Sequence, residues 1–244
     1  MRFTVPAGDG ELLEFECADS LSSRWVCGEI LLRRTYPHLP FVDDVQVVFD
    51  VGANCGATTV HFARHYPDSE VHSFEPGSEA RAYLERNAAR YANVRVHPVG
   101  LYSTDGEMPL FLGDNDLGMA SIHPRDGNRD ESEFVRLRAA ASWAAEHGID
   151  RIDVLKVDVE GAEVEVLTSL AHLLPTVKVL YLEYDSREAR RTIDDLLGPT
   201  HEIYLGSLFL DQGEVVYLRK DFADHPDATE RLRELLAASL ARQR

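Results

Sequence analysis

The run Val47-Val48-Phe49-Asp50-Val51-Gly52-Ala53-Asn54-Cys55-Gly56 joins an apolar strand, an acid at its tip and a glycine-containing turn that opens a helix. Glycine adds no Cβ and tolerates unusual φ/ψ, so such a turn brings backbone N–H groups close to a ligand. A dinucleotide site would need Gly-x-Gly-x-x-Gly, but its second and third glycine positions hold Asn54 and Ala57. Asp50 would also set a second negative charge beside a pyrophosphate. An ammonium-bearing ligand suits it better. The plain alternative is a strand-to-helix turn that uses its glycines for geometry alone.

A second acid follows at the end of the next strand, in Val71-His72-Ser73-Phe74-Glu75-Pro76, twenty-five residues after Asp50. In a βαβ unit, an acid about twenty residues on reaches a ribose and accepts from its hydroxyls. Pro76 restricts Glu75 to extended φ/ψ and so holds the carboxylate at the strand tip. Asp50 and Glu75 together imply a ligand with an amino-acid end and a nucleoside end. S-adenosylmethionine has that layout and carries no phosphate.

Working outward, strand-like runs at Gln46–Val51, Glu70–Phe74, Val94–Val99, Ile152–Val157 and Val177–Glu183 alternate with helix-like runs. The helical runs are Ala57–His65, Ser78–Tyr91, Ala162–Leu173 and Arg187–Leu197. This order predicts an α/β fold: a mostly parallel central sheet with helices on both faces. A last strand at 213–219 and an amphipathic helix over Asp227–Arg242 complete it. Asp105-Gly106, between apolar runs, predicts a β-hairpin insertion, and the polar stretch His123–Glu133 reads as a long loop. Residues 1–40 read as an N-terminal helical appendage with a helix around Ser22–Arg34, and 41–244 as the main domain.

The 244 residues carry a net charge of −17, which repels phosphate backbones and anionic membranes. No apolar run is long enough to span a bilayer, and the first residues lack a signal-peptide core. Three cysteines without a CxxC pair support neither a disulfide framework nor a cysteine zinc site. The expectation is a cytoplasmic protein with a small-molecule partner and no nucleic acid or membrane. The oligomeric state is open.

The chain resembles the FkbM family of S-adenosylmethionine-dependent methyltransferases in three places. These are 49–56, Ser73-Phe74-Glu75-Pro76, and Leu155-Lys156-Val157-Asp158-Val159-Glu160-Gly161-Ala162-Glu163. The resemblance implies a Rossmann-like methyltransferase fold and methyl transfer, usually to a hydroxyl of a polyketide, sugar or related metabolite. It also implies that Asp50, Gly52, Asn54 and Gly56 hold the methionine part, that Glu75 holds the ribose, and that Val99–Thr104 lie near the adenine.

Asp158 ends the fourth predicted strand, so it joins Asp50 and Glu75 in the crevice beyond the carboxyl ends of the sheet. Three roles are open to it: contacting the methionine amino group, orienting the acceptor hydroxyl, or binding a divalent metal with help from Glu183-Tyr184-Asp185; it is also the first candidate base. Nothing in the spacing demands a metal, and none is assigned. Glu160 and Glu163 also read simply as helix-start acids. His123, at the edge of the polar loop, is the second candidate base. His61 and His65 share a helix face but lack a third ligand, so they read as surface residues. Trp25, Tyr36, Phe111, Trp143 and Tyr184 are candidates for an acceptor pocket or for the core. N- or C-methylation and a catalytically silent nucleoside-binding domain are the alternatives to O-methylation.

Overall fold

The computed structural model describes residues 1–6, 11–19, 21–32, 35–113, 116–124 and 130–242, without the side chains of 21, 22, 25, 113, 116–119, 130–132 and 242. An antiparallel hairpin of β1 (Arg2–Pro6) and β2 (Leu12–Glu16) leads to helix α1 (Leu21–Leu31). β3 (Val47–Val51), α2 (Ala57–His65), β4 (Glu70–Phe74), α3 (Ser78–Ala88) and β5 (Val94–His97) follow as parallel strands with linking helices. The insertion is β6 (Gly100–Tyr102), β7 (Gly106–Gly113), β8 (Asp116–Ser121) and β9 (Asp130–Ala139), a separate sheet in the order β6-β9-β7-β8. The chain returns through α4 (Ala140–Glu146), β10 (Val154–Val157), α5 (Glu163–Ser169), β11 (Val179–Tyr184) and α6 (Arg187–Leu197). It ends in β12 (His201–Leu208), β13 (Gly213–Arg219), the short α7 (Lys220–Ala223) and α8 (Pro226–Arg242).

The main sheet has the order β12-β13-β11-β10-β3-β4-β5, with β13 antiparallel to both its neighbours. Strand order reverses between β3 and β10, which opens a crevice at their carboxyl ends. Alternation along the strands sorts the core into two layers. Val48, Val71, Val154, Val179 and Val216 pack with residues of α1, α2 and α8. Phe49, Phe74, Leu155, Leu180 and Tyr217 pack with α4, α5 and α6 on the other face. Fully burying such a side chain stabilises by roughly 1.5–3 kcal/mol, so both layers hold the strand tips in place.

The five expected strands form with ends within two residues of their predicted bounds. The insertion does contain a hairpin, β7–β8, but Asp105-Gly106 is not its turn: β6 and β7 lie on either side of β9. Asp105 instead accepts from Ala139 N at 2.7 Å and Arg138 Nε at 3.2 Å, which ties the connection to β9. Of the expected polar loop, 125–129 lie outside the described residues, and β9 has begun by Asp130. Residues 1–40 contain a hairpin as well as a helix, and Phe15, Cys17 and Leu39 share the core with α2.

Asp153 pins the amino end of β10. Its Oδ2 accepts from Gln46 N at 2.9 Å and Val47 N at 3.0 Å, and Arg151 and Lys178 flank Oδ1. Against burial, these partners hold its carboxyl below the usual range. Removing one partner of a buried ion pair strands the others, so Asp153→Ala should cost about 3–5 kcal/mol in urea unfolding. That loss should shrink as pH falls through the depressed folded-state value, where the wild type also loses the contribution. Ligand affinity at the opposite strand ends should not change.

Candidate active site

The crevice is assembled by backbone geometry first. Gly52 has φ +81°, and a Cβ there would stand 1.8 Å from the Asp158 carbonyl oxygen, so only glycine lets the β3 turn lie against the end of β10. Gly56 has φ +89°, and a Cβ there would come within 2.7 Å of Leu84 Cδ1. Asn54, at φ +49°, takes the left-handed conformation that asparagine tolerates best among residues with a Cβ. Gly52 N and Ala53 N both donate to Phe74 O, at 3.1 and 3.0 Å, fastening the turn to β4. Gly52→Ala should therefore unfold at markedly lower urea, a test that needs no substrate.

Glu75 occupies the next tip. Its Oε2 accepts from Asn54 N at 2.9 Å and its Oε1 from Gly77 N at 2.7 Å. It is 8% exposed, and burial pushes its pKa up to about 7 against the pull of those N–H donors. Gly52, Asn54, Glu75, Gly100, Leu101 and Asp158 line one cleft, roofed by Leu110, Ile122 and Leu137 of the insertion. Ser121 Oγ donates to Glu160 O at 2.7 Å, tying that roof to the loop after β10.

Beneath the cleft lies a charged cluster on the α2 face of the sheet. Lys156, opposite Asp50 in the β3–β10 register, is 2% exposed. Its Nζ donates to Gly52 O at 2.6 Å and stands 3.6 Å from Asp50 Oδ1 and 3.3 Å from Asp158 Oδ2. Burial opposes its charge, but the two carboxylates outweigh that and raise its pKa, so it stays an ammonium. Tyr36 OH also donates to Asp158 Oδ2, at 3.2 Å. Both partners hold Oδ2, and among the described residues Oδ1 has no hydrogen-bond partner. In the turn that follows, Glu163 Oε1 accepts from Val159 N and Gly161 N at 3.2 and 2.9 Å, and burial lifts its pKa to about 7.

The sequence matches the family model described as the methyltransferase FkbM domain over residues 50–232. The chain belongs to the FkbM methyltransferase family. "Methyltransferase 1" of Beauveria bassiana is 30% identical, over 63% of this chain and 69% of its own. The 2-O-methyltransferase NoeI of Sinorhizobium fredii is 27% identical, over 64% and 72%. The 31-O-demethyl-FK506 methyltransferase FkbM of Streptomyces tacrolimicus is 31% identical, over 51% and 59%. Among solved structures, the fibrillarin pre-rRNA processing protein of Methanococcus jannaschii superposes with a TM-score of 0.50 at 14% identity, over 90% of this chain and 83% of its own. That likeness shows the shared Rossmann-like fold alone. This FkbM-family chain is accordingly a methyltransferase.

The site differs in detail from the sequence-based expectation. Gly52, Asn54, Glu75 and Asp158 meet at one cleft, whereas Asp50 lies behind its wall at 0% exposure, bonded by Thr59 Oγ1 at 2.6 Å. A carboxylate at the penultimate residue of β3 points into the α2 layer, beside Lys156 and Thr59. Gly56 serves the close approach of α3. His123 is half-buried just past β8, its N–H donating to Ser121 Oγ at 3.1 Å, and it does not line the cleft at Asp158. His61 is no surface residue: it is 2% exposed and packs against His65 with the rings tilted by 41°. Trp143 and Tyr184 are core residues, Phe111 is half-buried on β7, and the Trp25 side chain lies outside the described residues. Among the described residues, no three His, Cys, Asp or Glu side chains stand at metal-ligand spacing, and no helix is long and apolar enough to cross a membrane.

Lys156 and Tyr36 are the residues that sequence reasoning undervalued. The signal for Lys156 was a single cation in an otherwise apolar buried strand, Val154-Leu155-Lys156-Val157. A charge in such a strand needs a partner.

Proposed function

We propose that this FkbM-family chain uses S-adenosylmethionine to methylate a hydroxyl of a small-molecule metabolite. The observation that carries the reading is the convergence of Gly52, Glu75 and Asp158 at the topological switch point, with Asp158 Oδ1 unengaged among the described residues. The residues fit that cofactor: Glu75 offers a nearly buried acceptor for sugar hydroxyls, and the described residues that line the cleft include no lysine or arginine for a pyrophosphate. When bound, S-adenosylmethionine supplies an activated methyl group on a sulfonium, whose C–S electron pair returns to sulfur as the acceptor oxygen takes the carbon.

The chain's own work is alignment and proton removal. Gly52 and Asn54 shape the turn, Glu75 fixes the sugar, and the insertion sheet excludes water from above. Asp158 Oδ1 takes the acceptor's hydroxyl proton, while Tyr36 OH and Lys156 Nζ hold Oδ2 and keep the carboxylate aimed. Asp50 is a positioning residue that acts through Lys156. The O-methyltransferase names of two relatives support oxygen as the acceptor atom, and the net charge of −17 supports a small molecule over a nucleic acid.

Calorimetry with S-adenosylhomocysteine tests the cofactor assignment directly, with binding expected and NAD inert. Absence of heat with S-adenosylhomocysteine and S-adenosylmethionine would overturn it. Once an acceptor turns over, a chelator arm separates proton removal by Asp158 from metal assistance. Loss of turnover in EDTA, restored by Mg²⁺, would assign the proton step to a metal.

A further inference from the structure

The cleft at Asp158 continues past it. Through Gly52, Asn54, Asp158 and Glu160 it meets a cavity of about 560 Å³ bounded by α1, Tyr36, the turn after β3, and the tips of β11 and β13. This cavity in turn shares Thr35, Tyr36, Ser207 and Glu214 with a slot of about 270 Å³ beneath α8. The slot walls are largely apolar, built by Pro37, Tyr181, Leu205, Val216, Leu235 and Leu236. The shared walls set the nucleoside cleft, the Asp158 carboxylate and the apolar slot next to one another in that order.

The wider cavity and the slot ask for different chemistry. Asp158, Glu183 and Glu214 line the wider cavity, and its lysine, Lys156, is spent on the carbonyl of Gly52 and on Asp50 and Asp158. A phosphate or carboxylate entering there would face the Asp158 carboxylate, with no lysine or arginine besides Lys156 among the described lining residues. Burial, reinforced by Asp158, pushes Glu183 up to about 9, so at neutral pH it carries a proton and offers a hydroxyl a donor as well as an acceptor. The slot offers area for apolar contact, and Leu208, Phe209 and Leu210 stand exposed in the chain just after Gly206 and Ser207 of its wall.

We propose that the methyl acceptor is an amphipathic alcohol: an uncharged, hydroxyl-bearing head between Asp158, Glu183 and Glu214, and an apolar arm that passes Tyr36 into the slot beneath α8. This rests on the methyl-transfer reading of the Asp158 site. It makes Leu205, Leu235 and Ser239 specificity-determining residues remote from the reacting atoms. Short polar alcohols fit the head region but leave the slot unfilled.

The test is calorimetry with methyl, hexyl and octyl β-glucosides below their micellar concentrations, with and without saturating S-adenosylhomocysteine. Affinity should rise at least thirtyfold from the methyl to the octyl probe, as apolar area leaves water. Ser239→Phe, which fills the slot from α8, should erase that gain while keeping wild-type thermal stability and S-adenosylhomocysteine affinity. Leu235→Ala should reduce the gain, as a second variant independent of the first. Octyl phosphate should bind more weakly than octyl glucoside. Equal affinity for methyl and octyl probes, or an undiminished gain in both variants, would overturn the arm. Tighter binding of octyl phosphate would overturn the uncharged head. Failure of S-adenosylhomocysteine to bind, with chain-length dependence intact, would sink the methyl-transfer reading and leave the slot standing.

Discussion

Replacing Asp158 by asparagine should lower kcat by about 10²–10⁴-fold, the usual worth of a positioned general base, while S-adenosylhomocysteine binds within a few-fold of wild type. Asparagine keeps the side-chain shape and an oxygen for Tyr36 OH, now 3.2 Å from Asp158 Oδ2, but it cannot take a proton from the acceptor. Lys156 keeps Asp50 and the carbonyl oxygens of Gly52 and Val51, so the cluster beneath the cleft loses one of several partners. Rising pH should restore activity to the variant, because hydroxide or a partly ionised acceptor replaces the missing base. Wild-type activity should depend less steeply on pH. A variant that retained kcat within threefold would remove Asp158 from the chemistry and leave it as a strand-end anchor.

The contrast with Asp50 explains why the two acids were hard to separate in sequence. Both sit near the ends of neighbouring parallel strands, and both lie beside the same lysine. The difference is two residues of pleat. Asp50 pairs opposite Lys156 within the ladder and faces the α2 layer, whereas Asp158 lies beyond β10 and is 24% exposed at the side chain. An acid-tipped strand signals a site, but which acid faces the ligand depends on register, and register between strands about a hundred residues apart is not written locally.

The central sheet was legible for the opposite reason. Val47–Val51 and Val179–Tyr184 are buried on both faces over most of their length, and such strands must be largely apolar runs whatever their neighbours. β1 and β2 bury only Val5, Leu13 and Phe15 while their other residues remain at least partly exposed, so five-residue runs gave too short an alternation to stand out. β9 opens with Asp130-Glu131-Ser132-Glu133 and becomes recognisable only at Val135 and Leu137, which are buried. Sheet pairing with β7, rather than intrinsic preference, makes its first half a strand. The cavity beneath α8 was illegible as well, because it is formed by segments as distant as Thr35 and Ser239.

Glu75 makes the strongest claim about binding. Glu75→Ala should weaken S-adenosylhomocysteine by about 2–4 kcal/mol, since ribose hydroxyls lose a charged acceptor and the N–H groups of Asn54 and Gly77 lose their partner. The pH dependence is the sharper test. In the free protein burial holds this carboxyl at about 7, and hydroxyl donors favour its ionised form. Affinity should therefore rise with pH up to about 7 and then level, by at most about tenfold per unit. Folding stability runs the other way. A carboxyl raised above its unfolded value contributes stability that is complete below about 4.5 and lost as pH climbs through 7, so ligand binding should offset that loss. Glu163 titrates near the same pH but bonds its own loop, and Glu75→Gln retains Glu163. A pH-independent dissociation constant between 6 and 8 in Glu75→Gln, beside a sloping one in wild type, assigns the slope to Glu75. Parallel slopes in the two proteins would place the ribose on another group.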